Sequence, residues 1–285
     1  MQSNSLPTPS RGSPVEWFRD AFCLATGQPF ITHYDLATPK WPEGYSPLKI
    51  IFLSDLHVGS PAMTVKRLDD VVRRVNRLMP DVVLLGGDYL NEEGGLNGPY
   101  VPPFQIARRL RRLKPNLPHG VIGVLGNHDA FDKYGVMKAF TDNGITMLEN
   151  DVVKLGMRDD PERQFYIAGL ADDLTGRIDL SGTFAKAVGD APVIMLEHNP
   201  AAFNTMRNFS DRPALTLCGH THAGQIDGPG RKYLGLPGGA PWKYVLGHSH
   251  VDGNDLIVSS GLGTSGIPVR VNCPARIVQV TLRHG

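Results

Sequence analysis

The chain has 285 residues, 41% of them apolar and 20% charged, with a formal net charge of +1. That composition fits one large globular domain or two small ones, and a balance so near neutrality argues against a strong polyanion-binding surface. Three isolated cysteines, Cys23, Cys218 and Cys273, exclude a disulfide framework or a zinc-knuckle spacing, and no apolar stretch approaches the ~20 residues that span a bilayer. Residues 1–14 are rich in Ser, Pro and Gly and read as disordered; residues 15–285 read as a single domain. Residues 15–30 read as a short helix. Its start, Val15 to Phe22, has an amphipathic pattern that packs on the domain or rests peripherally on a membrane. Pro39, Pro42 and Pro47 keep residues 31–48 an extended lead-in.

From Leu48 the pattern alternates. Lys49–Leu53 reads as a buried strand. Thr64–Leu78 has helical spacing through Val65, Leu68, Val71, Val72, Val75 and Leu78. Asp81–Leu85 is the next strand, Phe104–Leu113 a helix, His119–Leu125 a strand, and Lys133–Asn143 a helix stopped by Gly144. This βαβαβα order predicts parallel strands. The second half reads as strands near Val152–Leu155, Gln164–Ala168, Val193–Leu196, Leu215–Leu217, Leu256–Ser259 and Ala275–Leu282, with fewer helices between them. Two sheets packed face to face, with helices outside, account for both halves. Arg108, Arg109, Arg111, Arg112 and Lys114 read as a solvated helix face.

Five short polar clusters each end an apolar run: Ser54-Asp55-Leu56-His57, Gly86-Gly87-Asp88, Gly126-Asn127-His128-Asp129, His198-Asn199 and Gly219-His220-Thr221-His222. Carboxylate and amide oxygens with imidazole nitrogens suit Zn, Mn, Fe or Co. Seven ligands exceed what one tetrahedral ion takes and match two ions that share a carboxylate, the arrangement of two-metal phosphoester hydrolysis. On an extended segment Asp55 and His57, two apart, face one side. The intervening glycines permit tight turns where an ion must approach. His33, His119 and His250 carry no motif, His248 sits in a mimic of the Gly-His-x-His cluster, and Tyr89 reads as packing.

The order Asp-x-His, Gly-Asp, Gly-Asn-His-Asp, His, Gly-His-x-His resembles the calcineurin-like metallophosphoesterase superfamily from about Lys49 to the C-terminus. The resemblance implies a four-layer αββα sandwich in the α/β class. It implies that Asp55, His57, Asp88 and His222 hold one transition-metal ion and that Asp88, Asn127, His198 and His220 hold a second. Asp88 is the bridge, and a bridging hydroxide is the nucleophile. His128 then donates a proton to the leaving oxygen or stabilises charge there, with Asp129 holding its ring. Gly219–Gln225 and Ser260–Arg270 resemble a bacterial branch of phosphodiesterases and UDP-2,3-diacylglucosamine diphosphatases.

The expected substrate is a phosphorylated small molecule or a lipid-linked one, cleaved at a phosphodiester or pyrophosphate bond. Phosphomonoesterase, nuclease and non-catalytic scaffold are the alternatives. Arg231 and Trp242, in the Gly/Pro-rich segment 224–253, and Arg270 are the candidate substrate contacts. Many similar bacterial proteins carry an N-terminal anchor. The start Met1-Gln-Ser-Asn-Ser has no secretory pattern, so the expected location is cytoplasmic.

Overall fold

The computed structural model describes residues 27–285 except 93, 95–96, 211, 228–235 and 238. The disorder expected for residues 1–14, most of the helix expected over 15–30, and Arg231 lie outside the described residues. Residues 27–29 are not helical, and a strand begins at Phe30.

Two six-stranded sheets face each other. The first has the order β1-β12-β2-β3-β4-β5, built from β1 (Phe30–Ala37), β2 (Leu48–Leu53), β3 (Val82–Leu85), β4 (Val121–Gly123), β5 (Thr146–Met147) and β12 (Arg276–Arg283). The second has the order β10-β11-β9-β8-β7-β6, built from β6 (Asp151–Gly156), β7 (Gln164–Gly169), β8 (Val193–Leu196), β9 (Pro213–Cys218), β10 (Gly247–Val251) and β11 (Asn254–Val258). Strands β2 to β4 run parallel, as their alternation with helices predicts, and β5 continues that order. Strand β12 enters antiparallel beside β2 and pairs in parallel with β1, and in the second sheet β6 and β10 pair antiparallel with β7 and β11, so both sheets are mixed.

Period-two alternation sorts the side chains into layers. Ile50 and Phe52 of β2 enter the core between the sheets with Phe165, Ile167, Ile194, Leu196, Leu215 and Leu217. Their neighbours Ile51 and Leu53 face the other way, onto the helices. Strands buried on both faces read as unbroken apolar runs for this reason.

Helix α1 (Val65–Arg77) covers the outer face of the first sheet with Leu68, Val71, Val72 and Val75, spaced one helical stripe apart. Thr64 caps it by accepting from the Arg67 N–H, and Met79 (φ 49°) and Pro80 end it. Each of those buried Val and Leu side chains contributes about 1.5–3 kcal/mol. Helices α2 (Pro103–Leu110) and α3 (Lys133–Asp142) complete the layer through Ile106, Leu110, Val136 and Phe140. On the far side, α4 (Leu180–Lys186) and α5 (Phe203–Phe209) pack Phe184, Phe203 and Met206 against Val193 and Met195. The result is the four-layer αββα sandwich. The seven-residue helices α4 and α5 are too short to display a repeated apolar stripe in the sequence, and the edge strand β10 (Gly-His-Ser-His-Val) is too polar to announce itself.

Candidate metal centre

All five polar clusters lie just beyond the carboxyl ends of strands, where the loops of the two sheets converge. Asp55 follows β2, Asp88 follows β3, Asn127 follows β4, His198 follows β8 and His220 follows β9. The loops interlock through the backbone: Asp55 N–H donates to Gly87 O (3.0 Å), His57 N–H to Asp88 O (2.9 Å) and Gly219 N–H to His198 O (2.9 Å). Asp55 and His57 do share one side, though not on extended backbone. Both have left-handed φ (52° and 40°), as do Asp88 (55°), His220 (66°) and His222 (50°). Five of the seven candidate ligands thus sit in a sparsely populated region, strain of the kind that collects at functional sites.

Two glycines are sterically required. A Cβ on Gly126 would lie 2.2 Å from Asp88 Oδ1 and 2.7 Å from His198 Cε1. One on Gly87 (φ 87°) would lie 2.5 Å from Gly126 N.

Ligand atoms of Asp55, His57, Asp88 and His222 form one group within 4.8 Å, and those of Asp88, His198 and His220 form a second. Asp88 belongs to both. All six are buried. Asn127 joins the second group through its side-chain oxygen, 3.2 Å from His198 Nε2. His57 donates from Nδ1 to Leu90 O (3.0 Å) and His198 from Nδ1 to Gly86 O (2.7 Å). Each ring so bonded at Nδ1 points its Nε2 inward. His57 Nε2 meets His222 Nε2 at 3.2 Å, and His198 Nε2 meets Asp88 Oδ2 at 3.2 Å. Asp55 Oδ2 is buried without a hydrogen-bond partner. Imidazole Nε2 atoms converging on carboxylate oxygens, one of them buried and unsatisfied, fit cations held between them.

The charges agree with that fit. Burial, then the charge of His57 and then Arg270, pushes His222 well below the usual imidazole range, leaving it neutral and able to ligate. Burial alone would raise Asp88, but the His198 charge and hydrogen bond, with His128 and His57, hold it well below the usual range. Burial would lower His198, yet Asp88 and Asp55 drive it well above. Burial pushes Asp55 up to about 6, opposed by His198 and assisted by Asp88.

Two expected roles change. Asp129 does not orient His128. Its carboxylate accepts four backbone N–H groups: Tyr89 (2.9 Å) and Leu90 (3.2 Å) at Oδ1, Asp88 (2.8 Å) and Gly126 (2.9 Å) at Oδ2. It ties the Asp88 loop to the Asn127 loop. Burial and the nearby Asp88 push it up to about 7, against those N–H donors. The carboxylate on His128 Nδ1 is Glu92, a residue the motif reading passed over. Its position four residues beyond Asp88 in a glycine-rich loop gives no periodic signal. The His128 backbone N–H donates to Asp88 Oδ1 (2.9 Å), and its Nε2 lies 3.5 Å from Ser265 Oγ.

Arg270 cannot reach a substrate phosphate. It is 0% exposed, and its guanidinium donates to the carbonyls of Gly263, Ser260 and Cys273. It braces the 260–273 loop behind His222, whose Nδ1 lies 3.4 Å away. Trp242 is 72% exposed. His248 and His250 both bond Asp255 (2.7 and 2.9 Å), apart from the ligand groups. Tyr89 is packing: its hydroxyl donates to Val124 O (2.7 Å) and its ring lies against Phe140.

A sandwich of two mixed sheets with two ligand groups sharing an aspartate at its strand ends is the architecture of a metal-dependent phosphoesterase. Residues 48–224 match the family model of the calcineurin-like phosphoesterases, and the chain belongs to that family. Among its relatives, an uncharacterized metallophosphoesterase of Helicobacter pylori (strain ATCC 700392 / 26695) is 32% identical over 82% of this chain and 60% of its own length. The zebrafish (Danio rerio) transmembrane protein with metallophosphoesterase domain is 28% identical over 91% of this chain and 59% of its own. Phosphodiesterase YaeI of Escherichia coli (strain K12) is 29% identical over 84% of each chain. The chain spans about three fifths of the length of the first two. Among the described residues, no helix is long and apolar enough to cross a membrane.

Proposed function

We propose that this chain hydrolyses a phosphodiester or pyrophosphate bond with two transition-metal ions, Mn, Zn, Fe or Co, held by Asp55, His57, Asp88, Asn127, His198, His220 and His222. The observation that carries the reading is the pair of ligand groups that overlap at Asp88. When bound, the ions supply Lewis acidity to phosphate oxygens and lower the pKa of coordinated water from 15.7 towards ~7.

The chain's own residues do the rest. Asp88 offers one carboxylate to both groups. Asn127 offers a neutral oxygen, so the second ion keeps more of its charge. His128, partly exposed, stands at the rim of the ligands, its ring centroid 4.8 Å from that of His57. It protonates the departing oxygen through Nε2, while Glu92 holds Nδ1 and stabilises the charged ring. Asp129 keeps the loops in register.

Support for a diester or pyrophosphate comes from two directions. One relative is named a phosphodiesterase. And Arg270, committed to backbone carbonyls, is not free to neutralise a monoester dianion. The leaving group of a small-molecule or lipid-linked substrate would rest on the 224–253 segment with exposed Trp242. Free, buried Cys218 and Cys273 fit the reducing cytoplasm.

The test combines metal analysis with kinetics. Two ions per chain are expected, both lost more readily from Asp88→Asn than from His198→Ala. The kcat/KM for bis(p-nitrophenyl) phosphate should exceed that for p-nitrophenyl phosphate under the best metal. One ion at saturation defeats the dinuclear reading, and a monoester preference moves the chain to general phosphatases.

A further inference from the structure

The near-neutral total charge hides a strongly polarised surface. Residues 65–78 carry five basic and two acidic side chains, and residues 103–114 carry five basic and none acidic. That excess of eight positive charges belongs to a chain of net charge +1, so the remainder is acidic on balance. The two segments are neighbours: Arg112 pairs with Asp69 (2.9 Å), and Asn76 donates to Arg112 O (2.9 Å). On α1 the outward stripe is Lys66, Asp70, Arg73 and Arg77; on α2 and its extension it is Phe104, Arg108, Arg111 and Arg112. Asp69 and Asp70 are occupied by Arg109, Arg112 and Arg73. Among the described residues no ion pair neutralises Lys66, Arg77, Arg108, Arg111 or Lys114. A hollow of about 290 Å³ between Arg67, Arg74 and Arg77 and the start of the described chain, Gly27 to Pro29, continues the positive face.

We propose that the outer face of α1 and α2 docks this protein on an anionic lipid surface. Charge complementarity sets the class of partner: each Lys or Arg near an anionic leaflet raises partition roughly fivefold. Apolar side chains among the cations favour a lipid surface over a nucleic acid. Met79 is 64% exposed and Phe104 52% exposed, suited to the acyl boundary and wasted on a phosphate backbone. Gly27 lies on this same face, its carbonyl accepting from Arg67. Docking would leave the metal centre open, because α1 begins beyond the site-end of β2 and runs back along the sheet, its basic last turn at the opposite end.

The experiment is vesicle co-sedimentation of the full chain with phosphatidylcholine alone and with ~30% phosphatidylglycerol, at low and physiological salt. We expect binding only to the anionic vesicles, weakening as salt rises. The exposed triple variant Arg77→Gln/Arg108→Gln/Arg111→Gln should lose on the order of a hundredfold in partition, from three charges at the above factor. Its thermal melt and its hydrolysis of bis(p-nitrophenyl) phosphate in solution should match the parent's. Four results would overturn the proposal: no binding to anionic vesicles at low salt; undiminished binding by the triple variant; binding lost in Trp17→Ser/Phe18→Ser but kept in the triple variant; or tighter binding to duplex DNA or RNA than to vesicles.

Discussion

Replacing Asp129 with Asn separates a framework role from a catalytic one. The Asp129 carboxylate receives four backbone N–H groups, two at each oxygen, all between 2.8 and 3.2 Å. Asn keeps one oxygen and sets an NH₂ against two of those donors. Two hydrogen bonds vanish and two buried N–H groups are orphaned. At about 1–3 kcal/mol for each orphaned group, the loss is about 2–6 kcal/mol. At about 2–4 °C per kcal/mol for a chain of comparable size, Tm falls by roughly 5–20 °C. Because the bonded groups include the N–H of Asp88 and of Gly126, which precedes Asn127, metal affinity should fall alongside. The assay is urea unfolding of metal-free protein, with metal titration followed in parallel. A variant with unchanged midpoint and unchanged metal affinity, but slowed hydrolysis, would refute the framework role and return Asp129 to the orienting of His128.

His128→Ala should keep both metals and slow turnover roughly 10²–10⁴-fold for poor leaving groups, less for nitrophenolate; equal losses for both would replace the acid by electrostatic stabilisation. Glu92→Gln should show the same leaving-group dependence in milder form, and a uniform loss would count against its hold on His128. Glu197 is buried, its carboxyl pushed well above 4.5 by burial first and Asp173 next. An unfolded Glu releases its proton near that pH while the folded one retains it, so stability falls as pH rises above it, by up to ~1.4 kcal/mol per unit. Glu197→Gln should flatten that slope in metal-free unfolding curves, with its gain confined to pH above 4.5; parallel curves would remove the effect. Arg270→Met leaves the carbonyls of Ser260, Gly263 and Cys273 without their donor. At about 1–3 kcal/mol for each of the three orphaned carbonyls it should cost about 3–9 kcal/mol, with little change in KM; a KM effect without destabilisation would restore Arg270 as a substrate contact.

The sequence by itself determined nine of the twelve described strands, the helices α1 to α3 and the six Asp and His residues that the fold gathers into two groups. Those features are local or periodic. A strand buried on both faces must be apolar throughout, an amphipathic helix must repeat its stripe, and polar clusters at strand ends stand out against both. Short α4 and α5 and the edge strands β1, β5 and β10 stayed hidden because their apolar positions are too few to repeat. The partners of Asp129, Glu92 and Arg270 were hidden for another reason. Asp129 meets the N–H groups of a loop about 40 residues away, Glu92 meets an imidazole 36 residues on, and Arg270 reaches carbonyls in its own loop and in the His222 turn. Which carboxylate holds which ring is a choice among several nearby acids, and only the packed loops make it. The basic face arises the same way. Two helices 25 residues apart became one positive surface because both pack on the same side of the first sheet, a juxtaposition that net charge, summed over the whole chain, averages away.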